Sequence, residues 1–210
     1  MVTEPSAAPD AVMLGRIGIG SVALQGLSTV TAPPVTADHP RILAAAEDPE
    51  SIAAAVLAGS VVDPEIPVLT VADLGVLRAV RVQADGSVDV QITPTYSGCP
   101  AVAAISADIR RALTDAGYST VRVQTVLSPA WTTDDMTDAT RVVLSRYGIA
   151  PPGPVAPTGP IGPIGLNLTV RCPHCGSRNT TETSRFGSTA CKAMRVCQDC
   201  AEPFDHFKSL

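Results

Sequence analysis

Alternation of apolar and polar residues predicts three short strands in the middle of the chain. In the clearest of them Val88, Val90 and Ile92 share one face, with polar residues between them. Asp85-Gly86 precedes this strand and favours a tight turn, so it is predicted to form a hairpin with the strand before it. The three predicted strands cover residues 76–82, 88–92 and 121–125.

Helical periodicity predicts three helices around these strands. Apolar residues recur every three or four positions from residue 100 to residue 116, and Gly117 suits the end of that helix. Asp48 can cap an earlier helix that runs from Pro49 to about residue 57, and a last helix is predicted over residues 134–147. The order of elements indicates an α+β fold, a small α/β sandwich with helices on one face of the sheet.

Composition divides the chain into four parts. Residues 1–43 show no defensible period and are predicted to be an irregular tail, followed by the α+β domain over residues 44–149. Residues 150–168 are rich in proline and glycine and lack charge, which is typical of a linker. Residues 169–210 contain few aliphatic residues, so this last unit needs a metal to stabilise it.

Charge and cysteine content limit the cellular compartments and the kinds of partner that fit this sequence. The net charge is −5, and an acidic body argues against broad phosphate binding, so nucleic acid is a weak partner hypothesis. The first 12 residues lack Lys and Arg, and the apolar stretch after them is too short to span a membrane. Paired cysteine spacing favours a reducing compartment, so we expect a cytoplasmic protein.

Four late cysteines have the spacing of metal ligands. They form two C-x2-C pairs, Cys172 with Cys175 and Cys197 with Cys200, separated by 21 residues. Such pairs typically supply the four thiolates of a structural Zn²⁺ site, as in a zinc ribbon. Two disulfides or a rubredoxin-like iron site would use the same residues. Cys191 is a fifth cysteine for four positions, and we interpret it as a small buried residue.

Cys99 stands apart from the other cysteines, directly before the predicted helix at Pro100. A thiol at a helix N-terminus is easily ionised, and the Thr95 hydroxyl could hydrogen-bond a bound anion or cluster. Acyl transfer, disulfide exchange and binding of a metal or cluster remain open, as does a plain capping role. Acyl transfer lacks a histidine base apart from His39 in the tail, and the domain holds no second thiol for disulfide exchange.

Asp63 and Glu65 flank Pro64 in a loop made rigid by two prolines. A polar turn explains this pattern when it is taken alone. The two carboxylates could instead order the Cys99 loop by accepting its amide hydrogens.

Longer motifs resemble known families. The segments Asp63-Pro64-Glu65-Ile66-Pro67 and Thr93-Pro94-Thr95-Tyr96-Ser97-Gly98-Cys99-Pro100 resemble the small iron–sulfur-assembly domains that include SufT-like proteins. The segments at residues 128–134 and 185–193 resemble the PaaD family (also called PaaJ), accessory subunits encoded with the bacterial phenylacetyl-CoA ring epoxidase.

The resemblance implies an accessory protein of phenylacetate catabolism that is not catalytic by itself. Cys99 would act in iron or iron–sulfur delivery, Asp63, Glu65 and Thr95 would belong to the same site, and the ribbon would carry zinc. Implied partners are the oxygenase complex or its iron–sulfur reductase and the iron–sulfur assembly machinery. A homodimer is compatible with the sequence. A nucleic-acid-binding zinc ribbon and a thiol enzyme that uses Cys99 are the alternative hypotheses.

Overall fold

The computed structural model describes residues 32, 34–153 and 169–209. Its helices are α1 (Pro40–Ala45), α2 (Pro49–Gly59), α3 (Ala101–Asp115) and α4 (Asp138–Arg146), with a 3-10 turn at Thr133–Asp135. The strands are β1 (Leu77–Val82), β2 (Val88–Ile92), β3 (Val121–Thr125), β4 (Ile149–Ala150), β5 (Thr180–Ser184), β6 (Lys192–Cys197) and β7 (Pro203–Phe207). No helix in these ranges is long and apolar enough to cross a membrane.

A three-stranded sheet in the order β1-β2-β3 forms the centre of the first domain. β1 and β2 pair antiparallel as the predicted hairpin, and β2 pairs in parallel with β3 after the crossover through α3. Val88, Val90 and Ile92 are fully buried, which confirms the apolar face predicted for β2. Pro49 begins α2 and the Asp48 carboxylate accepts the Ser51 amide at 2.9 Å, so the predicted cap is also present.

The prediction of an irregular tail up to residue 43 is wrong at its end, because α1 begins at Pro40. His39 caps this helix through Nδ1, which accepts the Arg41 amide at 3.2 Å. Ile42 is fully buried in the main core, so the helix belongs to the α+β domain. Six residues are too few to show a helical period, which is why the pattern did not reveal it. The predicted tail over residues 1–31 lies outside the described residues.

The single helix predicted over residues 134–147 is divided in the structure. Met136 is extended and buried between the 3-10 turn and α4. Thr137 then caps α4 by accepting the Thr140 amide at 3.2 Å. The break lets Asp135 form a two-pronged ion pair with Arg78, with N–O distances of 3.0 and 2.9 Å, and two such parallel bonds hold the turn against β1.

The C-terminal unit is a second sheet in the order β4-β7-β6-β5. Its first strand, Ile149–Ala150, comes from the end of the α+β domain and pairs in parallel with Asp205 and His206 of β7. The predicted linker therefore starts too early at Ala150, which is a buried strand residue, while residues 154–168 of that linker lie outside the described residues. This shared strand joins the two domains at one edge.

Phe207 and Cys191 of the C-terminal unit lie in the main core of the first domain. Phe207 is 1% exposed, and its ring centre lies 6.0 Å from that of Trp131 in a tilted contact. The Trp131 indole N–H donates to the Leu74 carbonyl at 2.8 Å, which anchors the ring. An aromatic pair of this kind makes the ribbon and the α+β domain share one apolar core.

Candidate functional site

The four cysteines of the two C-x2-C pairs converge at one end of the second sheet. Their sulfur atoms all lie within 4.8 Å of one another. The Sγ–Sγ distances are 3.8 Å for Cys172 and Cys200 and 3.5 Å for Cys175 and Cys197. A tetrahedron of sulfurs with metal–sulfur bonds of about 2.3 Å has edges of about 3.8 Å, so this donor set fits one tetrahedral ion.

Each pair of cysteines lies on a turn of the same design. The Gly176 amide donates to the Cys172 carbonyl at 2.9 Å, and the Ala201 amide donates to the Cys197 carbonyl at 3.0 Å. Both donors have positive φ values, 76° for Gly176 and 62° for Ala201. A non-glycine residue in that region costs about 1–2 kcal/mol, which a bound metal would have to offset.

The two turns are also linked to each other. The Asp199 carboxylate accepts the Asn179 side-chain amide at 2.8 Å and the Ser177 hydroxyl. The amide of Cys200 lowers the pKa of the Cys197 thiol to about 7. One thiolate is therefore available near neutral pH to begin binding a cation.

The second candidate site is a cavity of about 20 Å³ between the α+β domain and the ribbon. All four residues predicted for one site, Cys99, Asp63, Glu65 and Thr95, line it. Two further residues of its wall come from the ribbon, Cys191 and Phe207, and the sequence prediction did not include them in the site. A volume of this size holds about one water molecule or one ion.

Cys99 reaches the cavity from the turn that precedes α3. Its amide donates to the Tyr96 carbonyl at 3.1 Å, and Pro100 takes the position before the first helical residue, Ala101. Burial raises the pKa of the Cys99 thiol, and the negative charges of Glu65 and Asp63 add to this. The Ala101 amide and the Thr95 hydroxyl act in the opposite direction and do not overcome it. The prediction of an easily ionised thiol is therefore wrong, because burial outweighs the helix terminus.

Asp63 orders its own loop. Its Oδ1 atom accepts the amides of Glu65 and Ile66, both at 2.8 Å. The expectation that these carboxylates accept amides of the Cys99 loop is wrong for Asp63, whose partners are local. Burial raises the pKa of the Asp63 carboxyl against these two bonds, and burial followed by the charge of Asp63 raises the pKa of Glu65.

Lys192 supplies the positive charge of this region. Its side chain is 4% exposed, and its Nζ atom lies 3.4 Å from the Asp205 carboxylate. The same ammonium lowers the pKa values of Asp63, Glu65 and Cys191, although burial outweighs it in each case. It therefore offsets part of the negative charge around the cavity, and a buried lysine of this kind needs such partners.

Two variants of Asp63 should separate its hydrogen bonds from its charge. Asp63→Ala leaves two amides without an acceptor, so we expect it to lower the free energy of unfolding by about 1–3 kcal/mol. Asp63→Asn retains an oxygen acceptor and removes a buried charge, so we expect little or no loss. Urea unfolding of both variants measures the difference. Equal losses would show that the hydrogen bonds do not hold the loop.

Comparisons with known proteins agree with both halves of this description. The family model described as "PaaD zinc beta ribbon domain" matches residues 157–208, and that described as "Iron-sulfur cluster assembly protein" matches residues 54–125. The chain is thus a mixed helix-and-sheet assembly domain followed by a zinc-ribbon domain, as the sequence predicted.

Curated relatives extend the match over most of the chain. An Escherichia coli protein, named as one subunit of a "Putative 1,2-phenylacetyl-CoA epoxidase", is 48% identical over 154 residues, which cover 73% of this chain and 90% of that protein. A Porphyromonas gingivalis protein named "Fe-S protein maturation auxiliary factor" is 40% identical over 80 residues, 38% of this chain and 75% of that protein. A crystal structure of a domain of unknown function from Bacillus anthracis, 23% identical, covers 45% of this chain and 90% of that chain with a TM-score of 0.42.

The match to the E. coli protein is longer than the range of either family model and covers 90% of that protein. The range of the assembly model contains Asp63 and Cys99, and the range of the ribbon model contains the four cysteines of the metal site. The chain therefore belongs to the PaaD family of phenylacetyl-CoA epoxidase subunits.

Proposed function

We propose that the chain is an accessory maturation protein of the phenylacetyl-CoA ring-epoxidising oxygenase. In this proposal it delivers iron or an iron–sulfur cluster to the oxygenase or to its iron–sulfur reductase, and Cys99 holds the cargo. The names of the E. coli and P. gingivalis relatives support the two parts of this role, the oxygenase and iron–sulfur maturation. We expect it to act in the cytoplasm, where its thiols stay reduced.

The observation that carries the proposal is the position of Cys99. It is half-buried and lines a cavity that also contains Asp63 and Glu65. Thiolate and carboxylate are the donors that iron accepts, and a protected thiol can hold a cargo without being oxidised. Burial raises the pKa of this thiol, so a cation that binds here must displace its proton.

We further propose that the ribbon holds Zn²⁺ through Cys172, Cys175, Cys197 and Cys200. The sulfur–sulfur distances fit a tetrahedral ion, and four thiolates are typical of structural zinc. A closed site of four protein ligands leaves no position for a substrate, so we assign zinc to folding and to presenting the ribbon to partners. Metal analysis of the purified protein distinguishes zinc from a rubredoxin-like iron.

The two alternative functions receive less support. A thiol enzyme needs a base, and no histidine among the described residues lines the Cys99 cavity. A nucleic-acid-binding ribbon needs a cluster of free basic side chains. Lys192 and Arg195 are buried and paired with Asp205 and Glu182, so the exposed arginines of the described ribbon are Arg171, Arg178 and Arg185.

Replacement of Cys99 tests the proposal in cells. The oxygenase system is produced with wild-type protein or with Cys99→Ser, and the iron and sulfide content of the purified reductase is measured. We expect Cys99→Ser to remain folded with its ribbon metal, while the reductase loses most of its cluster. The matched control is Ser97→Ala, two residues away on an exposed position of the same turn. Full cluster occupancy with Cys99→Ser would disprove the role of Cys99.

A further inference from the structure

Cys191 lies outside the four-cysteine site and faces the other candidate site. It ends the loop before β6, is 4% exposed and lines the same cavity as Cys99. Its carbonyl accepts the Lys208 amide at 3.0 Å, and its sulfur lies 3.0 Å from the Thr189 hydroxyl. These contacts to other ribbon residues fix the position of Cys191, whose side chain lies at the boundary with the α+β domain.

The cavity combines two kinds of metal donor on an apolar background. Two thiols and two carboxylates line it, and the remaining wall is mostly apolar, with Ile66, Leu74 and Phe207 among its residues. The Asp63 Oδ1 atom is occupied by two amides, so its Oδ2 atom and the Glu65 carboxylate are the oxygens left for a ligand. Thiolates select soft or borderline ions such as Fe²⁺, Co²⁺ and Zn²⁺ over Mg²⁺ and Ca²⁺.

The size of the cavity limits what the protein can bind while the ribbon is packed against the α+β domain, an arrangement called here the docked form. About 20 Å³ accommodates one ion or one water molecule. An iron–sulfur cluster contains several iron and sulfide atoms and needs more space and more thiolates than two. The cavity of the docked form therefore has room for a single ion without rearrangement.

We propose that Cys99 and Cys191 together form a two-thiolate site for one soft divalent ion, with Glu65 as an oxygen ligand. This inference rests on the proposed function for the role of Cys99, and it adds the ribbon as the source of the second ligand. Binding breaks two S–H bonds, forms two metal–sulfur bonds and releases two protons to solvent without any change of oxidation state. Among the described residues, the four ribbon cysteines are the one group of three or more whose ligand atoms lie within 4.8 Å of one another. Cys99, Cys191 and Glu65 do not form such a group, so in this proposal their ligand atoms must move closer when the ion binds.

A composite site, with ligands from both domains, couples binding of the ion to packing of the ribbon against the assembly domain. Cys99 precedes α3 of the assembly domain, and Cys191 belongs to the ribbon held by β4 and Phe207. Separation of the ribbon removes one thiolate and weakens the hold on the ion. A protein partner that displaces the ribbon would thereby promote release of the cargo.

Cobalt titration of the full chain tests the proposal. The protein is prepared without oxygen, with zinc retained in the ribbon, and Co²⁺ is added as a probe whose thiolate charge-transfer absorption scales with the number of bound sulfurs. For the wild type we expect one Co²⁺ with the absorption of two thiolates. For Cys191→Ser we expect half of that absorption and an affinity weaker by more than about tenfold. The proposal would be overturned if Cys191→Ser gave the same titration curve as the wild type, or if the wild type bound no Co²⁺.

A second set of measurements separates this inference from the proposed function. If Cys99→Ser lowers the absorption but Cys191→Ser does not, only the composite site is wrong. If Cys99→Ser also binds Co²⁺ like the wild type, the proposed role of Cys99 is wrong as well. X-ray absorption at the cobalt edge of the wild type needs no substitution in the core. Two sulfur neighbours are expected, and one or none would overturn the proposal.

Discussion

Cys197→Ser is expected to release the ribbon metal and unfold β5, β6 and β7. Cys197 is 1% exposed and is one of the two thiols whose sulfurs lie 3.5 Å apart across the metal site. In small metal-stabilised units the free energy of metal binding is the folding free energy, on the order of 10 kcal/mol. The separate sheet of the ribbon has only a small core, formed by Ala150, Cys172, Cys197 and Phe204. That core cannot replace the contribution of the metal.

The single tryptophan of the chain reports this loss. Trp131 belongs to the α+β domain but contacts Phe207, so unfolding of the ribbon changes the surroundings of its ring. We expect a shift of Trp131 emission together with loss of bound metal in Cys197→Ser, and the same shift when a chelator is added to the wild type. Cys99→Ser is the matched control and should keep the ribbon zinc and the Trp131 emission. Unchanged metal content and emission in Cys197→Ser would contradict the four-cysteine site.

Phe207→Ala is expected to lower the free energy of unfolding by about 3–5 kcal/mol. The ring is 1% exposed, and it fills the space between Trp131 and the wall of the Cys99 cavity. Its removal leaves a void that the surrounding residues close only in part. The ribbon would then dock less tightly, and the cavity beside Cys99 would enlarge.

Phe186→Ala is the control for this substitution because it removes the same ring from the same ribbon. Phe186 is 66% exposed, and its described contact is with the Lys208 ammonium, 5.0 Å from the ring centre. A contact of that kind is worth about 0.5–1 kcal/mol at an exposed site. Chemical denaturation followed by Trp131 emission compares the two variants. Equal losses would show that Phe207 does not join the two domains.

Local patterns predicted the parts of the fold that local physics determines. The alternation of Val88, Val90 and Ile92 specified a half-buried strand, and Asp48-Pro49 specified a helix start. The spacing of the four ribbon cysteines specified a metal site because one local turn brings the two sulfurs of each pair together. These features depend on residues close together in the sequence.

Features that depend on docking were not predictable in the same way. β4 has two residues and pairs with a strand more than 50 positions later, so it carries no period of its own. Cys191 and Cys99 line the same cavity although 92 positions separate them, and nothing in the spacing of the cysteines indicates this. The raised pKa of Cys99 has the same origin, because the burial that causes it comes from the packed cavity. The odd fifth cysteine in an otherwise paired set was the one signal that pointed to Cys191.

Transfer of labelled iron tests the role of Cys99 in iron delivery most directly. The protein is loaded with ⁵⁷Fe²⁺ without oxygen, freed of excess iron and mixed with reductase that lacks its cluster, with sulfide supplied. The ⁵⁷Fe content of the separated reductase is then measured by isotope mass spectrometry. We expect that the wild type transfers its iron, that Cys99→Ser retains none to transfer and that Ser97→Ala behaves as the wild type. Equal ⁵⁷Fe in the reductase after incubation with wild type and with Cys99→Ser would contradict that role.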